Sequence, residues 1–304
     1  MPTSRAALIV LLVACACSDQ PGQAPEDGPR TRVLLTDAPF PYERVARVDL
    51  YVVSVSGSLS ADTSSAGTFV TLAAPNRRIN LLALQNGLTD ELGGAELPPG
   101  VMTAVRLVID TDSSSITLKD GTVLTGESSP GIAWQSSAGR PVLNALIHEQ
   151  IQVPDTGGTV VIDFDVGKAF LPPQELDPSS TDSGFIFSPV LRAADGTRTG
   201  SITGTVESAG VPVEDASLRL YLGDASMDEN TWSVLGTTHT SSAGAFTFSF
   251  VTRSAYWSGL PAQAASTYIV AVDLPAAAGG SRRLVPDVTV TAGRETALGT
   301  ISLP

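Results

Sequence analysis

Thr159-Val160-Val161-Ile162-Asp163-Phe164-Asp165-Val166 is the stretch from which the fold can be read. Val160, Ile162, Phe164 and Val166 alternate with Val161, Asp163 and Asp165. A spacing of two puts alternate side chains on one face of a strand, whereas a helix groups residues three and four apart. The β-branched residues also suit a pleated surface. The same period occurs earlier, where Val101, Val105, Leu107 and Ile109 alternate with Met102, Ala104, Arg106 and Val108. Residues 45–55 carry valine on both faces, which predicts a strand in the middle of a sheet. Residues 185–191 read as a closing strand. One segment departs from the pattern: Ile79-Asn80-Leu81-Leu82-Ala83-Leu84-Gln85, followed by Asn86-Gly87, predicts a short helix with a glycine stop.

Further along, Leu218, Leu220 and Leu222 alternate with Arg219 and Tyr221, and Phe246, Phe248 and Phe250 alternate with Thr247 and Ser249. Two such apolar stripes facing each other make a sandwich core. Strands are expected at residues 202–206, 216–222, 245–251, 267–272, 288–290 and 297–303, after a Gly-Thr-Arg-Thr-Gly joint at 196–200. The expected fold is therefore all-β, with two tandem β-sandwich domains. The first covers residues 31–195 and contains the short helical insertion. The second covers 199–304 and is Ig-like or prealbumin-like. A chain of 304 residues is long enough to bury two cores.

The N-terminus has a different design. Arg5 supplies a positive region and Ala6 to Val13 an apolar one, and Leu12-Val13-Ala14-Cys15 follows directly. That order is expected of a secretory signal over residues 1–14. The apolar run is far short of the ~20 residues that span a bilayer. Leu12 and Ala14, three and one positions before the cysteine, resemble the lipobox of bacterial lipoproteins. The resemblance implies that Cys15 takes a diacylglyceryl group and anchors the chain to a membrane. Ordinary cleavage after Ala16 is the other reading, because Ala14-Cys15-Ala16 also has the small-x-small form. Ala16 is not the aspartate that retains such proteins at the inner membrane, so the same resemblance implies the outer membrane. Residues 15–30, rich in Pro, Gly and charge, read as a flexible tether.

Both cysteines, Cys15 and Cys17, lie in this leader region, so no disulfide is expected in either domain. Without the leader the chain carries 17 basic and 31 acidic residues, a net charge of −14. Such a surface disfavours nucleic acid as a partner.

Two family resemblances follow from longer stretches. Leu35-Thr36-Asp37-Ala38-Pro39, Ile79-Asn80-Leu81-Leu82-Ala83-Leu84, Leu97-Pro98-Pro99-Gly100 with Val105-Arg106-Leu107, Val161-Ile162-Asp163-Phe164-Asp165 and Ser188-Pro189-Val190-Leu191 occur in that order. Together they resemble the domain-of-unknown-function 4382 family of bacterial lipoproteins. Asn80 stands where that family often has Asp, which bears on capping of the helical segment. Gly200-Ser201-Ile202-Thr203-Gly204-Thr205-Val206, Gly210-Val211-Pro212-Val213-Glu214-Asp215-Ala216, Thr240-Ser241-Ser242-Ala243-Gly244-Ala245-Phe246 and Tyr268-Ile269-Val270 resemble the carboxypeptidase regulatory-like, or transthyretin-like, sandwich. That fold is grouped with carbohydrate-binding-like sandwiches, but a fold alone does not confer sugar binding.

Candidate chemistry rests on few residues. Asp37 sits in a Thr-Asp-Ala-Pro turn where its carboxylate can accept a backbone N–H. Asp163 and Asp165 fall on one strand face. Three assignments are open for these acids: turn capping with sheet hydrogen bonds, a Ca²⁺ site built from oxygen ligands, or acid–base catalysis by the paired carboxylates. The only histidines, His148 and His239, fall in different domains without a metal-ligand companion. No Gly-x-Ser-x-Gly elbow or phosphate loop is present. Tyr256 and Trp257, in a Ser-rich connection expected to be exposed, could stack on a sugar, whereas Trp232 is expected to begin a strand and fill the core. The expected function is that of a non-enzymatic, lipid-anchored cell-envelope protein with a structural or recognition role and no required cofactor. Its partners are the membrane and an envelope protein or glycan. A carbohydrate-binding envelope lipoprotein is the alternative, with a Ca-dependent binding protein or a hydrolase further off.

Overall fold

A computed structural model describes residues 29–37, 44–59, 68–85, 87–134, 139–177, 179–258 and 267–304. The signal segment 1–14, Cys15, Cys17 and the tether as far as residue 28 lie outside the described residues.

The chain is all-β, and its apolar residues gather into two separate cores. One draws on residues between Val33 and Ala193, and the other on residues between Ile202 and Leu303. The first core is wrapped by one continuous sheet. From edge to edge its strands are Val70–Ala73, Val45–Ser58, Ala104–Leu118, Val142–Ile147, Leu191–Asp195, Thr159–Phe164, Arg30–Asp37 and Asp90–Glu96. Two short strands, Arg77–Asn80 and Val123–Leu124, add to its flank. The sheet curls until its end strands Val70–Ala73 and Asp90–Glu96 touch. A methyl group on Gly93 would lie 3.4 Å from the Ala73 side chain. The two layers of the sandwich are thus supplied by one folded-over sheet, and its inward faces meet through Leu35, Leu50, Leu107, Ile162 and Phe164.

The strand order explains how distant segments come together. Arg30–Asp37 runs parallel to Thr159–Phe164, with Thr36 opposite Asp163 and Asp37 opposite Phe164. Thr159–Phe164 runs antiparallel to Leu191–Asp195, with Asp163 opposite Arg192. Residues 45–55 do have strands on both sides, as their two-faced valines require. The expected closing strand 185–191 is divided in two. Phe185–Phe187 belongs to a small three-stranded sheet, and Leu191–Asp195 to the large one. Ser188-Pro189-Val190 separates them, and proline interrupts a ladder because it lacks an N–H. The expected helix is a single 3₁₀ turn, Leu81–Leu84, after a strand that includes Asn80. Asn80 does not cap that turn; its side-chain oxygen accepts the Val48 N–H at 3.3 Å.

The second core lies between two four-stranded sheets. Thr199–Ser208 pairs with Ala245–Thr252, Glu295–Leu303 and the short Val211–Pro212. Ser233–His239, Ser217–Leu222, Tyr268–Asp273 and Arg282–Val288 form the other sheet. Phe246 and Phe248 point into the core as the alternation predicts, but Phe250 does not. Its φ of 52° lies in the left-handed region, next to a register shift between Gly200 and Ile202 on the partner strand. This bulge hands the inward position to Val251 and turns Phe250 outward. The strand expected at 288–290 ends where it was expected to begin, at Val288. Trp232 precedes the Ser233–His239 strand and packs with Tyr221, Ile269 and Ala271 on the outer side of this sheet, not in the main core.

Candidate functional site

The three acids singled out in the sequence are close in space but differ in their partners. Asp37 ends its strand and is only 4% exposed. Its Oδ1 accepts the backbone N–H of Val166 at 3.1 Å, from 129 residues away in the chain. Its Oδ2 has no hydrogen-bond partner. Burial pushes this carboxyl well above the usual carboxylate range. The nearby Asp163 and Asp165 charges push the same way, against the Val166 N–H and the Gln85 side chain.

Asp163 meets Arg192 across the strand pair at 3.0 Å. Burial raises its pKa, and Arg192 opposes that rise. Asp165 does not share a strand face with Asp163, because the strand ends at Phe164. It caps the one-turn helix Val166–Ala169 instead, accepting the Lys168 N–H at 3.1 Å, while its other oxygen lies 2.9 Å from Lys168 Nζ. The three-carboxylate calcium site is therefore not assembled. Among the described residues no group of three or more His, Cys, Asp or Glu is placed to hold a metal ion. Two of the three acids already face basic side chains.

The aromatic pair is also placed differently from the expectation. Tyr256 and Trp257 lie in the short helix Ser254–Ser258, not in an exposed connection. Trp257 is 5% exposed, packs in the second core and donates its indole N–H to Tyr268 at 2.6 Å. Tyr256 is half-buried, and its hydroxyl donates to the His148 carbonyl of the first unit. Their rings meet edge to face at 70°, so they do not form a flat platform for a sugar. His148 follows the Val142–Ile147 strand and touches Trp257 edge-on at 5.8 Å between ring centres. Burial lowers its pKa, and Arg192 adds to that. His239 lies away from it, 3.0 Å from Asp215.

Glu149 was not singled out in the sequence. One of its oxygens accepts from Arg198 at 2.8 Å and from Arg253 at 2.6 Å. Glu149 belongs to the first unit, Arg198 to the turn between the units and Arg253 to the second. Asp195 closes the same turn by accepting from the Thr197 N–H, the Thr197 hydroxyl and the Gln152 N–H. Nothing in the local sequence marks Glu149, because its partners lie 49 and 104 residues away. Between the two units these groups enclose a cavity of about 100 Å³, bordered by Asp37, Asp163, His148, Arg192, Phe250 and Trp257 among others. No helix among the described residues is long and apolar enough to cross a membrane.

The family model for the domain of unknown function DUF4382 matches residues 30–189. No curated protein matches the sequence. Solved structures show only distant likeness, as three examples illustrate. A 9R-lipoxygenase from Cyanothece PCC8801 is 14% identical, with 36% of this chain and 17% of that chain covered and a TM-score of 0.23. The Bacillus anthracis TIE protein is 9% identical, with 85% and 34% covered and a TM-score of 0.20. A streptococcal ancillary pilin is 11% identical, with 91% and 62% covered and a TM-score of 0.22. This chain spans less than two thirds of each, and scores this low do not inform function.

Proposed function

Because this chain belongs to the DUF4382 family, defined by a domain of unknown function, we propose from its own residues that it is a non-enzymatic, lipid-anchored protein of the cell envelope with a structural or recognition role. The observation that carries this reading is the joint between the units. Glu149 ties together both units and the turn between them, and the Tyr256 hydroxyl reaches across to His148. Of the side chains that could have offered chemistry or sugar stacking, Tyr256 and Trp257 meet His148 of the first unit and help hold the two β units in a fixed relation, as a spacer or docking scaffold requires; Asp37, Asp163 and Asp165 are engaged within the first unit.

The remaining parts of the proposal come from the sequence. The leader with Cys15 would export the chain and anchor it by acyl chains, at about 0.8 kcal/mol per buried methylene. The first unit would cover 31–195, and the second, 199–304, would be a carboxypeptidase regulatory-like sandwich acting as the spacer. The outer membrane is the proposed location. Growth with an alkyne palmitate analogue tests the anchor. The full chain should take up the label and fractionate with membranes, and Cys15→Ser should lose both properties. An unlabelled, freely soluble wild-type chain would end the proposal. Proximity crosslinking in intact cells should then capture envelope components and not cytoplasmic ones.

A further inference from the structure

The joint between the units has an ionisable ring at its centre. The His148 carbonyl accepts from the Tyr256 hydroxyl, its ring meets that of Trp257 at 5.8 Å between centres, and the next residue is Glu149. On one side the ring borders the cavity between the units, and on the other an outer groove walled by Leu146, Val190 and Val234. It is half-buried while the units lie together, and parting them brings it into water.

The charges around this ring balance without it. Asp163 faces Arg192 across two neighbouring strands, and Glu149 holds Arg198 from the turn and Arg253 from the second unit. Asp195 accepts from Thr197 and Gln152, and Asp165 pairs with Lys168 beside the groove. The strands Ser233–His239 and Ala245–Thr252 bring no ionisable side chain to either space. Asp37, pushed by burial toward its protonated form, adds little charge. Arg192, Arg198, Arg253 and Lys168 thus stand against Glu149, Asp163, Asp165 and Asp195, each acid already engaged.

A proton on His148 adds a positive charge with no free carboxylate to receive it. Burial disfavours that charge, and Arg192 repels it, so the docked ring binds its proton more weakly than an ordinary histidine of pKa 6.5. The ring of the parted units is solvated and titrates near that ordinary value. Docking is therefore at full strength above about pH 6.5 and is lost as pH falls from there through the docked value. Asp163 adds to the imbalance in acid, because burial makes it take up a proton before an ordinary aspartate does. Asp37 works in the other direction, since its raised carboxyl steadies the first unit in acid.

We propose that the joint is an acid-released latch, in which a proton taken up by His148 unlocks the second unit from the first. The inference rests on the fixed joint proposed above and is independent of lipid anchoring.

Small-angle scattering of the full chain across pH at constant ionic strength tests it, together with an NMR titration of the imidazole C–H signals. The chain has only 2 histidines, and His148→Gln assigns their signals. The radius of gyration should be constant above about pH 7 and rise toward about pH 5, as the His148 ring titrates with a midpoint below 6.5. His148→Gln keeps the carbonyl that Tyr256 uses and cannot become charged, so it should hold the neutral-pH dimensions at about pH 5. His239→Gln should expand in acid as the wild type does. The wild-type ring titration decides independently of how either variant folds. A wild type whose units are already loose at neutral pH would overturn the fixed joint and the latch together. Unchanged dimensions down to about pH 5, the same acid expansion in His148→Gln, or a His148 ring titrating at or above 6.5 would overturn the latch alone.

Discussion

Asp37 is a carboxyl whose folded surroundings favour its proton. Burial raises its pKa well above the ordinary value of 3.8, and two neighbouring aspartates add to the effect. The native state therefore keeps a proton that the unfolded chain releases, and stability falls as pH rises from about 4 toward the raised native value. Urea unfolding of the wild type between pH 4 and 8 should show that decline. Asp37→Asn should be more stable at neutral pH by about 1–3 kcal/mol and have a shallower slope. Asp163, raised in the same direction, should leave a residual slope. An unchanged pH profile in Asp37→Asn would show that Asp37 is ionised in the native state. The sequence marked Asp37, Asp163 and Asp165 as the acids of interest, since each lies in a strand-and-turn motif. It could not give their partners, because the captured N–H belongs to Val166 and the opposing guanidinium to Arg192.

At the scale of elements, alternation was a reliable guide until local geometry broke the period. It placed the strands around residues 159–164, 202–206 and 218–222, where apolar side chains fill a core on alternate positions. It failed at Phe250, where a bulge with left-handed φ shifts the register, and at Asp165, where a helical turn replaces the strand. That turn depends on its cap. Asp165→Ala should lower stability by about 1 kcal/mol, and Asp165→Asn by much less, because asparagine caps comparably; shifts in the urea midpoint will show the difference. The helix Ser254–Ser258 was missed for another reason: five residues of mixed polarity carry no periodic signal. Its Trp257 is core and not platform, so Trp257→Ala should cost about 3–5 kcal/mol of second-unit stability. A loss below about 1 kcal/mol in thermal or urea unfolding would mean the ring is not packed as described.

For the whole molecule, two all-β units were legible from composition, periodicity and the Gly-rich joint, whereas their mutual attachment was not. The attachment depends on Glu149, Arg198, Arg253, Tyr256 and His148, which meet only after both units have folded. Glu149→Ala leaves two arginines without their shared carboxylate. It should separate the thermal unfolding of the two units into distinct transitions and broaden the distribution of molecular sizes in small-angle scattering, while each unit keeps its circular dichroism. A single unchanged transition would place the coupling elsewhere. A different consequence follows from the position of the first strand. Arg30–Asp37 lies between Asp90–Glu96 and Thr159–Phe164, so both its neighbours are synthesised after it. A chain delivered N-terminus first exposes this strand with an open edge until residue 164 has emerged. During that interval it is a template for any other unpaired strand nearby, and nascent chains arrested before residue 159 should be the ones that aggregate or recruit a chaperone.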